Sequence, residues 1–350
     1  MPTIPTQKLE HDITQIVQAM GSQITEAQTV SHNLVLANLK GHDSHGVGMI
    51  PRYAEALTEG SLQLNQSVKV LSDLGSLLVL DAQRGYGQTT GEQAMQMGIE
   101  RCQQLGSCII SLANAHHLGR IGYFAEMATA QQLVSIHLVN VLSSPVVAVW
   151  GGSDGRHGTN PFCVGVPLPN QKSFILDFAT SRVAQGKMRV AHNRGESVPP
   201  GYLIDSEGRA TQDPSVVVKP DVQGKMGALM PFGDHKGSGL ALACELLGGA
   251  LTGSGTWKPR PKPSRAIWNG MLTVLIDPKR TGSYEQFESE VRSFVEWVKQ
   301  SPPSHDDSIM IAGEPELQIQ EERQRTGIPV EDKTWLDISN VAKQFGVQLQ

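Results

Sequence analysis

Cysteine is scarce in this chain. Cys102, Cys108, Cys163 and Cys244 are the only four in 350 residues, and no two stand at CxxC spacing. That excludes a disulfide framework and a cysteine zinc site. A surplus of one charge is missing too. Lys and Arg total 29 against 34 Asp and Glu, a formal charge of −5. Phosphate backbones are held by clustered cations, so no nucleic-acid partner is expected. The longest apolar run, 133–150, is broken by His137, Asn140 and Pro145, and does not read as a membrane span. The opening MPTIPTQKLEHD lacks a basic stretch followed by an apolar core, so a cytoplasmic protein is the expectation. What is present, 39% hydrophobic and 18% charged residues, describes a globular chain with ample core. Its length suggests about two domains.

Apolar periodicity predicts helices toward both ends. Ile13, Ile16, Val17 and Met20 form one stripe and Val30, Leu34, Ala37 and Leu39 another, with a break at Gly21–Ser22. Pro51 opens a third helix, which Gly60 ends. Helical patterns return at 284–300, 316–327 and 335–346. The middle alternates strands (VKVLSD, SLLVLDA, SCIISLA, LVSIHLVNV, FCVGVPL, SFILDFA, MLTVLID) with helices at GEQAMQMGIERCQQLG and ALACELLGGAL. The coarse reading is a helical unit built from both chain ends around a mixed α/β middle. WKPRPKPSR reads as an exposed loop.

Four clusters carry candidate chemistry. GHDSHGVGMIPRY (41–53) gathers His42, Asp43, Ser44 and His45 before a helix. Histidine suits proton transfer at neutral pH, although Asp and Ser there also serve as ordinary caps. NAHHLGRIGYF (114–124) sets His116, His117 and Arg120 between a strand and a helix, where α/β proteins place ligands; capping or packing histidines would look the same. GRHGTNPFCVGVP leads into ILDFATS, whose Asp177, Thr180 and Ser181 stand at a strand end. HKGSG (235–239) opens an apolar helix with glycines that suit either phosphate or tight packing. The paired histidines also fit a metal site, but neither HExxH nor an adjacent carboxylate pattern accompanies them, and no metal is expected. SLLVLDAQRGYGQTTG imitates a dinucleotide fingerprint. Its Gly85, Gly87 and Gly91 are spaced GxGxxxG, one residue too long, and the next strand ends without the ribose-binding acid. A standard Rossmann unit is rejected.

Taken in order, SHG (44–46), HLGRIGYFAEMA (117–128), GTNP (158–161), DFATS (177–181) and HKGSG resemble the malate/L-lactate dehydrogenase family that lacks a Rossmann fold. This group contains L-sulfolactate, ureidoglycolate and diketogulonate dehydrogenases. The resemblance runs over nearly the whole chain. It implies an α/β, non-Rossmann, L-sulfolactate dehydrogenase-like fold: a discontinuous helical domain (1–75 and 284–350) beside a mixed α/β cofactor domain (76–283), assembled as a homodimer. It implies NAD or NADP, with NAD favoured, and a small 2-oxo or 2-hydroxy acid as substrate. His45 falls on the proton-donor position, and His117 is the alternative acid/base. The cofactor would lie along His45, Gly119, Arg120, Ile121, Ile175, Leu176, Asp177, Phe178, Ala179, His235 and Lys236. Asn269, Gly313, Glu314, Pro315 and Glu316 complete that implied set. Arg52 and Arg120 are candidates for the substrate carboxylate. The family commonly reads SHGxxR, and Met49 stands where that arginine would be. An apolar, flexible thioether there is expected to admit bulky 2-oxo acids, aromatic ones included. A cyclic imine reductase is the alternative within the family. A metal-dependent hydrolase and a non-catalytic binding protein are alternatives from other classes.

Overall fold

The computed structural model describes residues 2–169, 171–258, 266–304 and 308–349. The Pro- and base-rich loop lies outside the described residues from Pro259 to Arg265. The chain starts with strand β1 (Thr3–Ile4), helices α1 (Thr6–Ala19), α2 (Ile24–Leu39) and α3 (Ile50–Thr58), then strands β2 (Lys69–Asp73) and β3 (Leu77–Asp81). Helix α4 (Gly87–Leu105), strand β4 (Ser107–His116), helix α5 (Gly122–Ala130) and strands β5 (Val134–Leu142), β6 (Val147–Ala148) and β7 (Gly155–His157) follow. Next come β8 (Phe162–Val166), β9 (Phe174–Phe178), α6 (Gln185–Arg194), β10 (Leu203–Ile204), β11 (Ala210–Thr211) and β12 (Ala228–Leu229). Helix α7 (His235–Cys244) runs on into a π-helical turn over Glu245–Leu251. The chain closes with β13 (Trp268–Ile276), α8 (Tyr284–Lys299), α9 (Glu314–Thr326), β14 (Ile328–Pro329) and α10 (Asp332–Gln344).

Helices form where the stripes lie. Leu9, Ile13, Ile16 and Val17 of α1 are fully buried, as are Val30 and Leu34 of α2. They share one hydrophobic cluster with Ile50 and Tyr53 of α3 and Ile338, Val341 and Ala342 of α10, so both chain ends meet in it. Helix α8 has the same amphipathic pattern but buries no residue; Phe294 and Trp297 stack on each other in solvent.

A second cluster fills the seven-stranded sheet, ordered β2-β3-β4-β13-β5-β8-β9. Only β3 and β4 run parallel; every other neighbouring pair is antiparallel. A doubly wound dinucleotide fold needs a run of parallel strands with crossover helices, and this order does not supply one. Pleat alternation turns Met271 and Leu275 of β13 toward α4 and α5 and turns Gly270 toward the π turn. The glycine turn before α4 serves packing. A Cβ on Gly87 would sit 2.3 Å from the His116 carbonyl oxygen and 2.5 Å from that of His117, so glycine lets the helix start press against the end of β4.

One carboxylate ties the two clusters together. Glu126 of α5 pairs with Lys40 at the end of α2 and with Arg120 in the β4–α5 link, each at 2.6 Å. Arg120 is 3% exposed. Removing one partner of a buried ion pair strands a charge, at a cost of about 3–5 kcal/mol. Glu126→Ala is therefore expected to lower unfolding free energy by about that amount in urea titrations. A loss below about 1 kcal/mol would show that the triad is not the joint described here.

Candidate active site

The two histidine motifs, far apart in sequence, meet at the end of β4. His45 lies in a loop of two 3-10 turns, Asp43–His45 and Val47–Met49. Asn38, buried on α2, spans that loop: its Nδ2 donates to Asp43 Oδ1 at 2.6 Å and its Oδ1 accepts from the Val47 N–H at 2.8 Å. A Cβ on Gly46 would fall 2.1 Å from Asn38 Oδ1, which explains the glycine of the SHG string. Arg323 of α9 braces Asp43 from outside at 2.7 Å. His117 is held by its neighbour, because the Leu118 N–H donates to Asn269 Oδ1 at 2.9 Å while Asn269 Nδ2 donates to the Asn140 carbonyl at 2.7 Å.

These braces bring His45 Nδ1 to 3.3 Å from His117 Nε2, with the rings nearly parallel. On its other side His117 Nδ1 lies 2.8 Å from the Tyr53 hydroxyl, which accepts from Gln88 Nε2 at 2.7 Å. His117 is buried and His45 half-buried. Burial, with His42 and Arg120 nearby, lowers the His45 pKa to about 4. Burial, then His45, His116 and Arg52, pushes His117 well below the ordinary imidazole range. His116 is sealed in and its ring nitrogens have no hydrogen-bond partner among the described residues; burial takes its pKa to about 3.

The other implied residues separate into groups. Lys40, His42, Arg120, Asp177, Ile175, Gly313 and Glu316 line one cleft of about 370 Å³. There the C-terminal GEPE turn meets the first motif, with His42 Nε2 3.4 Å from Glu316 Oε1. The Ala312 carbonyl accepts from the Ile175 N–H, which pins that turn to β9. Asp177 Oδ2 accepts from the Gly122 N–H at 2.6 Å, and burial raises its pKa against the pull of Arg120. Glu314 is engaged by Lys299 and the Ile311 N–H, and Pro315 starts α9. Phe178 packs edge-on against Phe162 and Phe232, with Leu176 and Ala179 half-buried beside it. His235 and Lys236 are exposed at the start of α7.

One expectation needs correction. Arg120 is not an open clamp for a substrate carboxylate, since its guanidinium is buried against Glu126. Met49 is half-buried against the terminal helical cluster, so part of its thioether packs as core. Tyr53 and Gln88 were not singled out from the sequence; the signal for Tyr53 was its place, with Ile50 and Ala54, on the buried face of the Pro51 helix. Among the described residues, no three His, Cys, Asp or Glu side chains converge as metal ligands do. No helix among them is long and apolar enough to cross a membrane.

The sequence pattern of the malate/L-lactate dehydrogenase family matches residues 4–339. The chain belongs to that family. Hydroxycarboxylate dehydrogenase B of Escherichia coli K12 is 42% identical over 343 residues, 97% of this chain and 94% of that protein. The solved sulfolactate dehydrogenase from Methanocaldococcus jannaschii superposes with a TM-score of 0.86 at 28% identity, covering 99% of this chain and 98% of that one. Delta1-piperideine-2-carboxylate reductase from Pseudomonas syringae pvar. tomato gives 0.83 at 26%, covering 98% and 100%. These matches establish the non-Rossmann α/β fold.

The buried imidazoles set an acid limit. A group whose proton affinity falls on folding binds fewer protons folded than unfolded, so the neutral form's stabilisation is complete above about pH 6.5 and is lost below it. His116 and His137, each lowered by burial to about 3, and His45 near 4 place that loss between about pH 6.5 and 3. The melting temperature should fall steadily from pH 7 to pH 5 in calorimetry. A flat profile would contradict neutral burial of these rings.

Proposed function

We propose that this family member is an NAD(P)-dependent 2-hydroxycarboxylate dehydrogenase, acting as a 2-oxo acid reductase with His45 as proton donor. The observation that carries the reading is the imidazole pair. Both ring nitrogens of His117 are engaged by Tyr53 and His45, whereas His45 is half-open and its Nε2 is left for a substrate oxygen. Its depressed pKa keeps the ring neutral before substrate binds. An anionic substrate raises the proton affinity of a neighbouring imidazole, which loads His45 as the acid binds. Arg52, whose charge lowers the proton affinity of His116 and His117, is the candidate for the C1 carboxylate in this reading.

The residues that would hold the dinucleotide are Gly119–Ile121, 175–179 and 313–316, of which Arg120, Ile175, Asp177, Gly313 and Glu316 line the cleft, with Lys236 as an exposed cation. The donor and acceptor set fits. Glu316 Oε2 is buried without a partner among the described residues and suits a ribose hydroxyl. Asp177 and Glu316 would repel a 2′-phosphate, which favours NAD over NADP. A nicotinamide held there would supply a hydride, with its two electrons, for C2 of the substrate. His45 gives its Nε2 proton to the oxygen of the former carbonyl, and solvent restores it. Asn269 holds the Leu118 backbone in this account and is a strut for the cleft. A homodimer is part of the proposal, supported by the exposed leucines 242, 246, 247 and 251 on α7 and the π turn.

The alternative is a cyclic imine reductase, since the same hydride and proton can reduce C=N. The test is oxidation of NADH and NADPH against pyruvate, oxaloacetate, phenylpyruvate and a cyclic imine acid. The expected result is 2-oxo acid reduction with NADH, with phenylpyruvate used at least as well as oxaloacetate. His45→Ala should lower kcat by about 10²–10⁴. Turnover of the imine alone would move the substrate to the alternative. A fully active His45→Ala beside a dead His117→Ala would move the proton to His117.

A further inference from the structure

Gln88 opens α4 in the GYGQ turn, the segment whose glycines fail the dinucleotide fingerprint. Its side chain is buried and points at Tyr53. Its Oε1 has no hydrogen-bond partner among the described residues. A buried unpartnered acceptor costs stability, so stability does not account for an amide at this place. The chain of contacts runs Gln88 Nε2 to Tyr53 oxygen, 2.7 Å; Tyr53 oxygen to His117 Nδ1, 2.8 Å; His117 Nε2 to His45 Nδ1, 3.3 Å. Four separate segments contribute: α4, α3, the end of β4 and the SHG loop.

Donor arithmetic gives this chain a direction. A phenol carries one proton, and its oxygen already accepts from the Gln88 N–H, so that proton is directed to His117 Nδ1. A neutral imidazole accepting at Nδ1 carries its hydrogen on Nε2, and here that N–H faces His45 Nδ1. His45, accepting at Nδ1, must then carry its own hydrogen on Nε2, the nitrogen with no partner among the described residues. We propose that Gln88 is a positioning residue that sets, through Tyr53, the tautomers of His117 and His45, so that His45 offers an N–H to a bound oxygen. An acceptor in place of the Gln88 N–H would reverse every bond and turn a lone pair outward. Burial keeps both rings neutral until an anionic substrate binds, as one proton per ring requires. The inference rests on His45 being the proton donor.

The experiment reads the tautomers directly, by long-range proton–nitrogen NMR of 15N-histidine-labelled, cofactor-free protein. Wild type should show His45 and His117 in the Nε2–H form. Gln88→Met keeps the bulk and frees the Tyr53 hydroxyl to turn, so an Nδ1–H population should appear on both rings. Tyr53→Phe keeps the ring and removes the link, with the same expected spectrum. In 2-oxo acid reduction, kcat of both variants should fall about tenfold or more, as when a catalytic histidine loses the partner that fixes its tautomer, with KM little changed. Unaltered tautomers in Gln88→Met, or altered tautomers with wild-type kcat, would overturn the proposal. A wild-type protein that reduces no 2-oxo acid would instead overturn the proposed activity, while the spectra still decide the wiring.

Discussion

The site depends on the carboxylate of Glu126. Its two oxygens pair with Lys40 from the helical cluster and with Arg120 from the sheet cluster. Lys40 ends the helix from which Asn38 grips the SHG loop, and Arg120 lies three residues after His117. The relative placement of the two imidazoles is therefore fixed by an ion pair shielded from solvent, where attraction between charges is stronger than at a wet surface. Asp177 beside Arg120 brings the local charges toward balance: Lys40 and Arg120 against Glu126 and Asp177. A cleft built on that balance leaves neither cation stranded.

The sheet explains why the cofactor signal is unfamiliar. With only β3 and β4 parallel, the topology lacks the succession of strand, glycine turn and helix on which a Rossmann cradle depends. The strand–turn–helix that imitates one, residues 77–105, uses its glycines for contact instead: Gly87 against the backbone of His116 and His117, Gly91 against Phe124. That turn acts on the chemistry from behind, through the seat of His117 and through Gln88.

Much of this was legible in the sequence because strong periodicity and ordered motifs are local signals. The stripes of α1, α2 and α10, the run into His116 and His117, and the DFATS strand end appear where their patterns place them. Helix α6 gave no signal, since Met188 is its one fully enclosed hydrophobic among polar neighbours. Strands β6, β10, β11 and β12 have two residues each, too short for alternation to show. The partners Tyr53 and Gln88 were hidden for another reason: each is one polar group within a packing pattern, and only the meeting of α3 and α4 at β4 reveals them. Arg120 was misread because a guanidinium in a motif says nothing of the carboxylate six residues on that claims it.

The central claim is that His45 faces the reacting oxygen while the dinucleotide lies along the cleft beyond His117. A ternary crystal structure with NADH and oxamate, a non-reactive mimic of pyruvate, tests it most directly. The account predicts an oxamate oxygen within hydrogen-bond distance of His45 Nε2, its carboxylate near Arg52, and the dinucleotide along 119–121, 175–179 and 313–316. A dinucleotide lying over residues 85–91, or oxamate bound out of reach of His45, would contradict it.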